Sequence, residues 1–119
     1  MEKPVYDLEE RTFKFAKDVR IFVKTIPKTV ANHEDGRQLI RASGSVGANY
    51  REANESLGKK DFLMRIKISR KEAKESQYWL RLIHETNDFE NEGKKECLRL
   101  MNEAEELKKI FSSILEKSK

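Results

Sequence analysis

The side chains of this 119-residue chain that could do chemistry are few and scattered: His33, His84, Cys97, and the close glutamate pairs Glu52 with Glu55 and Glu72 with Glu75. A histidine-based metal centre on helices needs a second histidine or cysteine at ligand spacing, or a glutamate three residues before the histidine, and neither His33 nor His84 has one. No metal and no cofactor is expected. Gly44 and Gly47 belong to neither phosphate-cradling fingerprint, Gly-x-x-x-x-Gly-Lys-Ser/Thr or Gly-x-Gly-x-x-Gly. Cys97 falls on the apolar pattern of its segment, which suits a small buried thiol rather than a nucleophile. The glutamates read as solvated partners of basic residues, Lys71 with Glu75 and Arg51 with Glu55 standing at i, i+4 spacing. No catalytic residue emerges, and the chain is not expected to be an enzyme.

Positive charge is better organised. Formal net charge is +4, and the segment from Lys59 to Arg81 holds Lys59, Lys60, Arg65, Lys67, Arg70, Lys71, Lys74 and Arg81 against Asp61, Glu72 and Glu75. Lys67, Arg70, Lys71 and Lys74 fall close together on a helical exterior, where they could neutralise phosphates of RNA or DNA. A solvated lysine-rich face fits the same pattern, and no arrangement of exposed aromatics for base stacking is evident beside it. Tyr78, Trp79, Leu82 and Ile83 flank or join the inward stripe of the same segment and form a candidate subunit interface, aromatic anchors being enriched at such surfaces. A bundle with a wide apolar stripe would explain them as well.

Four helical segments must carry these residues. In the first, Leu8, Phe15, Val19, Phe22 and Ile26 recur at helical spacing, with Asp7 and Glu10 placed for a capping box and Pro27 for a stop. The second starts near Asn32 and Asp35 and turns Leu39, Ala42, Val46, Asn49 and Ala53 inward. Its run Ala42-Ser43-Gly44-Ser45-Val46-Gly47-Ala48 costs helix propensity at both glycines, and reads as a closely packed helix rather than a loop because small residues admit a near neighbour. The third starts at Gly58 and Asp61 and places Phe62, Ile66, Ser69, Ala73, Ser76, Leu80 and Ile83 on one face. After the break at Asn87, Asp88, Asn91 and Gly93, the fourth presents Cys97, Leu100, Ala104, Leu107, Phe111 and Ile114. The expected fold is all-α, an antiparallel up-down-up-down four-helix bundle forming a single domain over 1–119, with helices at about 7–27, 33–56, 59–87 and 92–116.

Charged residues make up 39% of the chain and apolar ones 37%, a balance that suits amphipathic helices with solvated outer faces. No apolar run approaches the length of a membrane span, and the start lacks a signal-peptide pattern. One cysteine allows no intrachain disulfide. A cytoplasmic protein with no membrane association is expected.

Three stretches carry a family resemblance: Gly47-Ala48-Asn49-Tyr50-Arg51-Glu52-Ala53-Asn54-Glu55, then Lys59-Lys60-Asp61-Phe62, then Arg70-Lys71-Glu72-Ala73-Lys74-Glu75-Ser76-Gln77-Tyr78-Trp79-Leu80. Over nearly its whole length the chain resembles the four-helix bundle proteins called 23S ribosomal RNA intervening-sequence proteins. The resemblance implies a ring-shaped homopentamer, and places some relatives within insertions in bacterial 23S ribosomal RNA genes. Similar accessory bundle proteins of diversity-generating retroelements direct a basic surface towards nucleic acid and protein partners. Gly58 departs from the family pattern, in which a serine often caps the third helix. The family offers no catalytic residue to carry over. The function expected is a non-enzymatic oligomeric scaffold that binds RNA or other nucleic acid through Lys67, Arg70, Lys71 and Lys74; the alternative is a protein–protein interaction module with no nucleic-acid role.

Overall fold

The computed structural model describes residues 7–119. Helices α1 (Leu8–Val23), α2 (Val30–Asn54), α3 (Lys59–Thr86) and α4 (Asn91–Lys117) follow in order. Each packs antiparallel against the next and α1 closes on α4, so that α1 and α3 stand diagonally across an up-down-up-down bundle. The buried residues follow the three-four spacing of amphipathic helices: Phe15, Val19 and Phe22 of α1, Leu39 and Val46 of α2, Ile66, Leu80 and Ile83 of α3, and Leu100, Leu107 and Phe111 of α4.

Helix ends depart from the sequence expectations for local reasons. Asp7 sits at the N-cap of α1 but its side chain makes no cap hydrogen bond, so the expected capping box with Glu10 does not form. α1 stops at Val23, four residues before Pro27. Proline has no amide to offer the Val23 carbonyl, and it disfavours helical geometry at Ile26. The amide and hydroxyl of Thr25 instead both donate to the Phe22 carbonyl, at 2.9 and 2.7 Å. α2 begins at Val30 rather than near Asn32, because Thr29 is the cap: its hydroxyl oxygen accepts from the Asn32 amide at 3.1 Å. Gly58 occupies the N-cap of α3 in an extended conformation with no side-chain bond.

The small-residue run of α2 is one continuous helix. At its centre Gly47 meets the buried Thr12 of α1; a Cβ on Gly47 would come 2.8 Å from Thr12 Oγ1. Thr12 keeps its hydroxyl satisfied by donating to the Leu8 carbonyl at 2.9 Å. On the other flank of α2, the buried Ser69 of α3 donates to the Val46 carbonyl at 2.9 Å. Small side chains thus let α2 lie close to both neighbours, and tertiary contact outweighs the glycines' poor propensity. Asn49, expected to point inward, is half-buried at the edge, where its Oδ1 accepts from Arg65 at 2.9 Å.

Candidate nucleic-acid interface

α3 carries eight lysines and arginines against four carboxylates, a balance of +4 equal to the formal charge of the whole chain. The remainder is therefore neutral, and the molecule's excess charge belongs to one helix. The outward face of α3 is set by its inward one. With Ile66, Ala73, Leu80 and Ile83 buried, Lys60, Met64, Lys67, Lys71, Lys74, Tyr78 and Arg81 emerge as an exposed stripe at intervals of three or four. Lys60, Lys67, Lys74 and Arg81 follow one another at seven-residue steps, a row about 31 Å long.

Of the four residues singled out from the sequence, Lys67, Lys71 and Lys74 lie on this stripe and Arg70 lies half-buried at its margin. Among the described residues, none of the four sits within ion-pair distance of a carboxylate. Elsewhere arginines are engaged: Arg11 with Glu103 at 2.7 Å and Arg99 with Asp18 at 2.9 Å both tie α1 to α4. Arg81, at the end of the stripe, lies 3.6 Å from Glu85.

Glu72 and Glu75 do not behave as solvated partners of the lysines of α3. Glu72 is buried, and with Glu75 it faces α2, where Arg41 donates to Glu75 at 2.6 Å and to Glu72 at 3.3 Å. Burial pushes the Glu75 pKa up, but hydrogen bonds from Trp79 and Arg41 and the charges of Arg41 and Lys71 outweigh it, holding the carboxyl below its usual range. Lys71 thus acts on Glu75 through its charge, and Arg41 takes the pairing expected of it. Arg51 reaches Glu9, at 4.0 Å, instead of Glu55.

The four candidate interface residues separate. Ile83 has no exposed surface and belongs to the chain's own core, so it cannot share an outer patch with the others. Trp79 is half-buried, its indole N–H donating to Glu75 at 3.1 Å, and Leu82 is half-buried beside it. Tyr78 is 57% exposed and projects from the middle of the cationic stripe, with its ring centroid 5.1 Å from that of Trp79 in an edge arrangement. One exposed aromatic therefore accompanies the basic residues. Stepping outward from Lys67 by helical spacing would have found Tyr78, together with Lys60 and Arg81.

Cys97 is buried and donates to the Leu80 carbonyl at 3.4 Å; burial, with a smaller effect from Glu96, pushes its thiol up to about 12. His33 is exposed at the start of α2, while His84 Nε2 is buried without a hydrogen-bond partner among the described residues. No group of three or more His, Cys, Asp or Glu among the described residues could hold a metal ion. No described helix is long and apolar enough to cross a membrane. A groove of about 650 Å³ between α1 and α2 is rimmed by Asp7, Glu9, Glu10 and Glu52 against Arg51, an acidic balance that disfavours a polyanion there.

These features define a class, an antiparallel four-helix bundle with its excess positive charge on one helix. The chain belongs to the 23S rRNA-intervening sequence protein family, whose model matches residues 6–113. It is similar to a Bacteroides thetaiotaomicron protein of unknown function from the S23 ribosomal protein family, with 29% sequence identity and a TM-score of 0.73 over 90% of this chain and 96% of that one. None of the curated proteins matches.

Proposed function

We propose that this protein is a non-enzymatic, homo-oligomeric scaffold that binds RNA or another nucleic acid through the outer face of α3. The observation that carries the reading is the concentration of the chain's whole charge excess on one helix, with Lys67, Arg70, Lys71 and Lys74 unneutralised by carboxylates among the described residues. Cations already paired within a protein gain little from phosphates; unpaired ones release the ligand's counterions and gain affinity. Self-association, in the pentamer the family resemblance implies, repeats this face around a ring and raises the local field. The family name links its members to intervening sequences of 23S rRNA, which makes ribosomal RNA the first ligand to test.

The test is binding of the purified protein to ribosomal RNA fragments and DNA across a salt series, with its mass in solution measured alongside. Affinity falls steeply between low and physiological salt, and neutralising Lys67, Arg70, Lys71 and Lys74 to glutamine weakens binding and flattens the salt slope. Absent or salt-insensitive binding by a folded protein refutes the reading. The second reading, a protein-interaction module, draws on the exposed Phe13 in the acid-rimmed groove between α1 and α2. Stoichiometric recovery of one protein after nuclease treatment, lost in Phe13→Ala, is its signature.

A further inference from the structure

We infer that Tyr78 is a stacking platform for an unpaired base, so that the ligand of the α3 face is single-stranded nucleic acid. The inference rests on the nucleic-acid reading above and specifies its ligand. Tyr78 stands one turn beyond Lys74 and one turn before Arg81, about 6 Å and 4.5 Å along the helix axis. A flexible ammonium or guanidinium on either side can therefore reach the phosphates flanking a base laid on the ring. Cations alone would accept any polyanion; the aromatic among them selects for a base with an open face.

The ring leans edge-on against an anchored neighbour. Its neighbour Trp79 is fixed by the indole bond to Glu75, and Glu75 is fixed by Arg41 of α2. Contact with an anchored neighbour narrows the positions open to the Tyr78 ring and so lowers the freedom it loses on binding. A duplex offers its phosphates to the cations but nothing to the ring, because its bases stack on one another and a side chain on a straight helix face cannot enter between them without deforming the duplex. In a folded RNA, the matching target is a loop, bulge or end.

The decisive experiment measures the affinity of the full-length protein and of Tyr78→Ala and Tyr78→Phe for oligo-U, oligo-dT and an RNA duplex of equal length, with mass in solution recorded for each. Trp79 is the chain's single tryptophan, so its emission reports events at the neighbouring ring. Tyr78→Ala is expected to weaken both single strands by about 5- to 150-fold, the range of one lost base stack, while duplex binding is unchanged and Tyr78→Phe retains wild-type affinity. Single strands quench Trp79 emission and duplex does not. Equal loss on all ligands overturns the inference, as does no loss in Tyr78→Ala where neutralising the lysines abolishes binding; in the latter case the charge reading survives alone. A change of oligomeric mass in Tyr78→Ala makes the ring a subunit contact and also overturns it. If no nucleic acid binds the wild-type protein, this inference and the proposed function fall together.

Discussion

Asn32 and Asn87 exchange two amide hydrogen bonds across one end of the bundle, at 2.7 and 2.9 Å. Each amide spends its second N–H on a backbone carbonyl, Asn32 on Pro27 and Asn87 on Ile83, both at 2.8 Å. The pair therefore ties the α1–α2 turn, the start of α2 and the end of α3 into one knot.

Removing either partner leaves the other with unmet hydrogen-bonding groups in a place where Asn32 is buried. Asn87→Ala and Asn32→Ala are each expected to cost about 1–3 kcal/mol in urea denaturation. The double variant loses less than the sum, because the bonds between the two are counted once.

Gly44 and Gly47 should respond to alanine with opposite signs. At Gly47 the new Cβ meets Thr12 at 2.8 Å from Oγ1 and 3.1 Å from Cβ, both fixed in a buried contact between helices, and the strain outweighs the gain in helix propensity. Gly47→Ala is expected to destabilise by about 1–2 kcal/mol. At Gly44 the nearest atom is the guanidinium tip of Arg20, 3.1 Å away on a flexible, exposed side chain. Gly44→Ala is expected to stabilise by up to about 1 kcal/mol in the same measurement.

Acid should dissolve the contact between α2 and α3 at Arg41. The folded-state pKa of Glu75 lies below its ordinary value of 4.5. Its pairing contributes stability that is fully present above about pH 4.5 and is lost as pH falls through the lower folded-state value. Glu75→Gln keeps an acceptor for Trp79 but cannot titrate. The stability gap between wild type and this variant, followed by urea midpoints from neutral pH downward, should narrow as the wild-type carboxyl protonates.

Cys97 should be silent to thiol reagents in the native protein. Its thiol, pushed up to about 12 by burial, is almost wholly protonated at mildly alkaline pH and has no exposed surface. Labelling is expected to proceed only through opening of the bundle. The rate should rise with denaturant in step with loss of helical signal.

The four stripes of apolar residues made the bundle legible, because three-four spacing reports burial directly and needs no partner to be known. Helix ends were less so. Thr29 and Asn32 are both good caps by type, and the choice between them turns on Asn32 being needed by Asn87, fifty-five residues away. Glu72 shows the same limit: its sequence neighbours are lysines, while its partner Arg41 lies on another helix. In the candidate site, the basic cluster followed from local spacing. Tyr78 reads as part of an apolar patch beside Trp79, while its helical phase also sets it among the lysines.

Concentrating all the excess charge on α3 has a consequence for motion as well as for contact. A body that is neutral over most of its bulk and positive along one edge feels torque in a non-uniform field, so near any polyanion it turns before it touches. Collisions then arrive already oriented, and arrival rates respond to added salt more strongly than a net charge of +4 spread evenly would allow. The same asymmetry should make the protein linger on a cation-exchange surface, each chain held there by its α3 edge.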